Sequence, residues 1–115
     1  MKSAQIGIIG CAIAGLSAAL GVAKAGHRAV IFGQPHHDLA GALQLAPNGF
    51  AALETLDCLT EMTPHLTLLN AIEIRSARTN ACLSIIDHDT PHHRDYAAIG
   101  RGALVTQLYK LAQAH

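Results

Sequence analysis

Gln5-Ile6-Gly7-Ile8-Ile9-Gly10-Cys11-Ala12-Ile13-Ala14-Gly15-Leu16-Ser17-Ala18-Ala19-Leu20 is the stretch that decides the architecture of this chain. Gln5 to Ile9 is short, apolar and isoleucine-rich, the composition of a strand buried on both faces. Gly10 interrupts it. From Ile13 to Ala25 the chain turns to Ala and Leu, and Ile13, Leu16, Leu20 and Ala23 recur at helical spacing. Gly26 stands where such a helix stops. Arg28-Ala29-Val30-Ile31-Phe32 is a second β-branched run, tipped by an aromatic residue, and reads as a strand. Strand, helix and strand within about thirty residues make a right-handed βαβ unit with parallel strands.

Outward from that unit the signals are weaker. Gly33 to Ala42 is rich in Gly, Pro, His and Asp, which is loop chemistry. Pro47 suits the first turn of a helix running through Phe50, Leu53 and Leu56 to about Asp57-Cys58. A shorter helical stretch covers Leu59 to Met62 and stops at Pro64. Ile72 and Ile74 alternate with Glu73 and Arg75, predicting a half-exposed strand over Ala71 to Ala77. Cys82 to Ile86 is its antiparallel partner across a turn at Thr79-Asn80. Asp87 to Asp95 is a polar loop, and Leu104, Leu108 and Leu111 place a helix over Ala103 to Ala112. There is no internal repeat.

With 115 residues, half of them apolar and 14% charged, the chain has the composition of one folded domain. Formal net charge is zero, and two Phe, two Tyr and no Trp leave no stacking platform, which argues against nucleic acid as a partner. Three scattered cysteines, Cys11, Cys58 and Cys82, form no CxxC pair, so neither a disulfide scaffold nor a zinc finger fits, and a reducing cytoplasm is the expected compartment. The histidine pairs His36-His37 and His92-His93 lie in proline-broken loops with no carboxylate or thiolate completing a metal site; solvated loop histidines are the expectation. Ala4 to Ala23 carries no charge over about a membrane's length, but four glycines interrupt it and only Lys2 precedes it, so no stable membrane insertion is expected.

Chemistry concentrates in the turn Gly10-Cys11-Ala12-Ile13-Ala14-Gly15. In dinucleotide-binding turns the first glycine permits the tight turn, the second lets the backbone approach a pyrophosphate, and the third lets helix and strand pack closely. Phosphates then rest on unpaired N–H groups at the positive end of the helix. Here Ala12 takes the second place. The end of the second strand, where Asp or Glu would receive ribose hydroxyls, falls on Gly33, which has no side chain to accept them; Asp38, the nearest carboxylate, lies in the loop beyond.

Gly7 to Leu20, followed by Lys24-Ala25-Gly26-His27-Arg28, resembles the opening of the FAD-dependent monooxygenases, the aromatic-ring hydroxylases related to para-hydroxybenzoate, salicylate and ubiquinone-pathway hydroxylases. Leu16 after the third glycine is usual there, and a small residue at the second glycine has precedent. Gly41-Ala42-Leu43-Gln44-Leu45-Ala46-Pro47-Asn48-Gly49 resembles the family's Gly-Ala-Gly-Ile-Gln-Leu-x-Pro-Asn segment. Arg101, with Leu104 and Leu108 after it, matches an arginine that contacts FAD in the family. The departures are Ala12, Gly33, Ala42 and a short loop between Gly33 and Leu43.

The resemblance implies an α/β fold: a Rossmann-like βαβ FAD-binding unit with a small antiparallel hairpin and an incomplete parallel sheet. Residues 1–115 would be the N-terminal part of an FAD-binding domain. It implies FAD held by Gly10, Cys11, Ala12, Ile13, Ala14, Gly15, Gly33, Gln34, Gln44 and Arg101. It also implies NAD(P)H as reductant and a small aromatic substrate, with no catalytic residue in this segment. Family members are several times longer, so an open sheet edge, an uncovered apolar face and dependence on a missing C-terminal remainder are expected. Against this stand a truncated or decayed domain that binds nothing, favoured by Ala12 and Gly33, and an NAD-binding protein, disfavoured by Gln44 to Asn48 and Arg101.

Overall fold

The computed structural model describes residues 2–88 and 96–115. β1 (Gln5–Ile9) and β2 (Arg28–Phe32) lie parallel, in register from Gln5 opposite Arg28 to Ile9 opposite Phe32. Parallel strands cannot be joined by a tight turn, and α1 (Ile13–Lys24) makes the crossover. The helix stops where Gly26 directs: His27 N–H donates to the Val22 carbonyl and Gly26 N–H to that of Ala23, satisfying the last turn.

β1 does not have the two covered faces that its composition predicts. Ile8 points at α1, its Cγ2 lying 3.5 Å from where a Gly15 Cβ would be, and Ile31 opposite it packs on the core. The other face carries Gly7, Ile9, Val30 and Phe32. Ile9 there is 93% exposed and Phe32 60%, so the sheet keeps the apolar composition of a two-sided layer but is covered on one side. The two-stranded parallel sheet and its bare face agree with the expected incomplete sheet.

A second sheet is absent from the sequence reading. β3 (Ala42–Leu45), β4 (Leu66–Leu68) and β7 (Ala97–Gly100) form an antiparallel sheet in the order β3–β7–β4. These strands have three or four residues each, and Ala97-Ala98-Ile99-Gly100 carries almost no β-branched signal, so neither period nor propensity marks them. Between β3 and β4 lie α2 (Pro47–Thr55), α3 (Leu59–Met62) and a 3₁₀ turn at Thr63–His65. The expected hairpin is present as β5 (Ala71–Arg75) and β6 (Cys82–Asp87), with an irregularity between Ile74 and Arg75. All of its strand residues but Ile72 are exposed. The radius of gyration is 17.1 Å, against about 13 Å for a compact chain of this size, which makes the molecule elongated.

α4 (Arg101–Gln113) lies beside α1, and the core forms between them. Leu16 and Leu20 of α1 meet Leu104, Val105 and Leu108 of α4, with Leu53, Met62 and Ile99 closing the cluster. Lys24 links α1 to the end of α2, where its ammonium donates to the Thr55 carbonyl and pairs with the Asp57 carboxylate at 2.7 Å. The N-terminus of α4 is tied to the loop before β3: a Cβ on Gly102 would lie 2.3 Å from the His37 carbonyl oxygen. His37 is fixed there by a 3.0 Å hydrogen bond to Thr106 Oγ1 and by edge-on contact with the Tyr109 ring. The uncharged run Ala4 to Ala23 is therefore divided into a strand, a turn and most of a 12-residue helix. Among the described residues no helix is long and apolar enough to cross a membrane.

Cys11 and Cys58 are buried and Cys82 is exposed. Burial pushes the Cys11 thiol up, and it does the same to Cys58, where the Glu61 and Asp57 carboxylates add to the effect and Lys24 opposes it. The folded chain therefore holds these thiol protons longer than the unfolded chain, so stability should fall as pH rises past the ordinary value of 9.0. Iodoacetamide at neutral pH should add one label, at Cys82, to the native chain and three after denaturation. Labelling of Cys11 at the rate of Cys82 would refute the core placement. Gly102→Val should destabilise the fold by on the order of 3 kcal/mol in denaturant melts, since the β2–β3 loop would have to move.

Candidate functional site

The site begins where β1 turns into α1. Gly10 N–H donates to the Phe32 carbonyl at 2.8 Å, which anchors the turn to the end of β2. Gly10 has φ 112°, a conformation that other L-residues rarely adopt, and a Cβ there would meet nothing within 4 Å, so the outer side of the turn is open. Gly15 is constrained in the opposite sense. A Cβ on it would lie 2.0 Å from the Gly10 carbonyl oxygen, so only glycine lets the helix come this close to the strand end.

The first intrahelical bond runs from Leu16 N–H to the Ala12 carbonyl at 2.9 Å. The N–H groups of Ile13, Ala14 and Gly15 precede it and have no carbonyl one turn back within the helix. No side chain caps them, and the first turn contains no acidic residue. The positive end of the α1 dipole thus opens onto the space over Gly10, which is the arrangement that receives an anion. Ala12 and Ala14 are exposed at this end, while Ile13 and Cys11 turn inward. Cys11 contributes its backbone to the turn; its thiol belongs to the core.

β2 ends directly against the turn. Gly33 has φ 143°, and a Cβ on it would stand 3.1 Å from the Cys11 nitrogen. The backbone at this position is thus built for glycine, and an Asp or Glu here would be strained and would crowd the Cys11 N–H. Gln34 follows and is exposed.

Arg101 opens α4 at the same end of the molecule. Leu20 and Lys24 of α1 line a cleft with Leu111 and His115, so the two helices have their C-terminal ends together and their N-termini at the other end. Arg101 N–H donates to the Gly41 carbonyl at 3.0 Å, and its side chain is exposed. The α4 N-terminus also lacks a side-chain cap and acidic residues. Among the described residues the ion pairs are Lys24–Asp57 and Arg75–Glu73, so no carboxylate there neutralises Arg101.

Gln44 stands apart from the turn, on β3. Leu43 and Leu45 pack toward the core, which puts Gln44 on the outer face of the second sheet, opposite Ala98. Its Oε1 accepts a 3.0 Å hydrogen bond from the Tyr96 hydroxyl. The structure therefore gathers Gly10 to Gly15 and Gly33 into one cluster, with Gln34 directly after it. Arg101 enters at the same end through the second helix, and Gln44 lies further along the antiparallel sheet. Tyr96 and Gly102 escaped the sequence reading; a lone tyrosine beside a polar loop and a glycine inside a helix carry no signal of their own. Among the described residues no group of three His, Cys, Asp or Glu gathers as a metal site, and His92-His93 lies outside the described residues.

No family model matches the chain, and no curated protein sequence matches it. Solved structures do match. The tetrameric form of 2-methyl-3-hydroxypyridine-5-carboxylic acid oxygenase superposes with a TM-score of 0.81 at 22% identity, covering 99% of this chain and 30% of that one. PqsL of P. aeruginosa in complex with 2-aminobenzoylacetate gives 0.78 at 22% identity, with 97% and 30% covered. HpxO of Klebsiella pneumoniae, complexed with FAD and uric acid, gives 0.75 at 18% identity, with 95% and 28% covered. The chain thus spans less than a third of the length of these structures, and over that span it has their fold.

Proposed function

We propose that residues 1–115 are the N-terminal, ADP-binding part of the FAD-binding domain of a flavin-dependent monooxygenase of the aromatic-ring hydroxylase class. The observation that carries the reading is the uncapped α1 N-terminus behind Gly10, with open space over the turn. It is supported by a fold shared with an oxygenase and with a protein solved with FAD bound. The residues fit the diphosphate of FAD: N–H groups of Ile13, Ala14 and Gly15 would hold it, and the Arg101 guanidinium would neutralise charge from the α4 side. Gln34 and Gln44 offer amides to the remaining polar groups of the cofactor. When bound, FAD reduced by NAD(P)H would supply transfer of one oxygen atom of O2 to a small aromatic substrate, the other atom leaving as water; the protein's part is to place the cofactor and exclude bulk solvent. The proposed compartment is the cytoplasm.

One observation favours a second reading, in which the same fold binds no cofactor alone. Gly33 offers no acceptor for the ribose hydroxyls, and its backbone does not accommodate a carboxylate without strain.

Titration of the purified chain with FAD, followed by flavin fluorescence, separates the two. Saturable binding is expected, weakened about tenfold by Arg101→Ala, the loss of one charge-assisted contact. Ala12→Gly should tighten binding by removing a methyl group at the closest approach. Gly15→Trp should abolish binding together with the native fold, because the steric conflict with Gly10 is with backbone. A chain that is folded by circular dichroism and binds no FAD would overturn the first reading in favour of the second.

A further inference from the structure

Gln44 is held by a second residue that neither its exposure nor the sequence pattern marks. Tyr96 is fixed at three points. Its carbonyl accepts a hydrogen bond from Leu69 N–H at 2.9 Å. Its ring stacks face to face on the His88 imidazole, with centroids 4.1 Å apart and planes within 5° of parallel. Its hydroxyl meets Gln44 Oε1 at 3.0 Å. His88 is itself anchored, 8% exposed and with its N–H on the Asn70 carbonyl. The phenol is therefore a rigid donor delivered to a flexible side chain.

We propose that Tyr96 is a positioning residue: by donating to Oε1 it fixes the Gln44 carboxamide with its NH2 group turned outward, as a hydrogen-bond donor toward a bound ligand. Around Gln44 the outer face of the sheet carries Ala98 opposite and Ala42 two residues back, with Thr67 beyond Ala98 on β4, so the amide stands among small side chains. Gly41, whose carbonyl receives the Arg101 N–H, lies three residues earlier, just before β3, at most about 10 Å away at roughly 3.3 Å per residue. The ligand this spacing suits is extended, anionic at the helix N-termini and carrying a carbonyl or hydroxyl acceptor further along. The inference rests on the FAD reading above and adds to it the residue that orients Gln44.

Tyr96→Phe keeps the ring on His88 and removes the hydroxyl. FAD affinity, read by flavin fluorescence, should fall roughly fivefold in Tyr96→Phe, the worth of one neutral hydrogen bond. In a Gln44→Ala background the same change should have no further effect, because Tyr96 acts through Gln44. A fivefold loss in both backgrounds would mean a merely structural tyrosine and would overturn the inference, as would unchanged affinity in Tyr96→Phe. A ligand-free readout separates this from the functional reading: the side-chain amide of Gln44 should show restricted motion by ¹⁵N relaxation and lose it in Tyr96→Phe. A wild-type chain that binds no FAD overturns the functional reading, whereas a Gln44 amide equally mobile in both proteins overturns the positioning role whatever binds.

Discussion

The structure depends on one close approach, the Gly15 Cα against the Gly10 carbonyl. A methyl group at position 15 would stand 2.0 Å from that oxygen. In helical propensity alone, alanine would be favoured there by about 1 kcal/mol, and the steric conflict exceeds that. The approach does two things at once. It seats α1 on β1 so that Leu16 and Leu20 reach the core, and it aims the first N–H groups of the helix across the turn. A packing constraint and an anion-receiving end are thus the same piece of geometry.

The rest of the fold brings a second helix to that end. The antiparallel sheet is short, but Gly100 at the end of β7 passes directly into α4, and Ala42 at the start of β3 lies opposite it. Arg101 is thereby fixed beside Gly41, and the loop from Gly33 onward packs its His37 carbonyl on Gly102. The apolar core then holds α1 and α4 side by side with their positive ends together. The energetic weight lies between the helices, where Leu16, Met62 and Leu108 have no exposed surface. The hairpin and the outer face of β1–β2 contribute little to it, and the exposed Ile9 and Phe32 remain an apolar surface of the kind that associates.

Much of this was legible in the sequence. The first strand, α1, β2, α2, α4 and the hairpin follow from composition and period, since each is long enough or apolar enough to carry a signal, and the short helix at Leu59 to Met62 was bounded by Pro64. The antiparallel sheet was not legible, because strands of three or four residues rich in Ala and Gly are defined by partners distant in sequence. β1 also misled: its composition fits two covered faces, and one is bare. At the site, the glycine pattern gave the turn, but the reason for Gly33 emerged only from its φ of 143° and its contact with Cys11. Gln44 was visible as part of a motif, whereas Tyr96, which grips it from across the sheet, was not.

The central claim is that the turn from Gly10 to Gly15 receives a diphosphate. Backbone amide shifts of the ¹⁵N-labelled chain, followed during addition of FAD, test it most directly. The expected result is saturable shifts concentrated at Cys11 to Gly15 and Gly33, with smaller ones at Arg101. Shifts confined to the exposed hairpin, or saturation at the turn by no concentration of FAD in a folded chain, would contradict it.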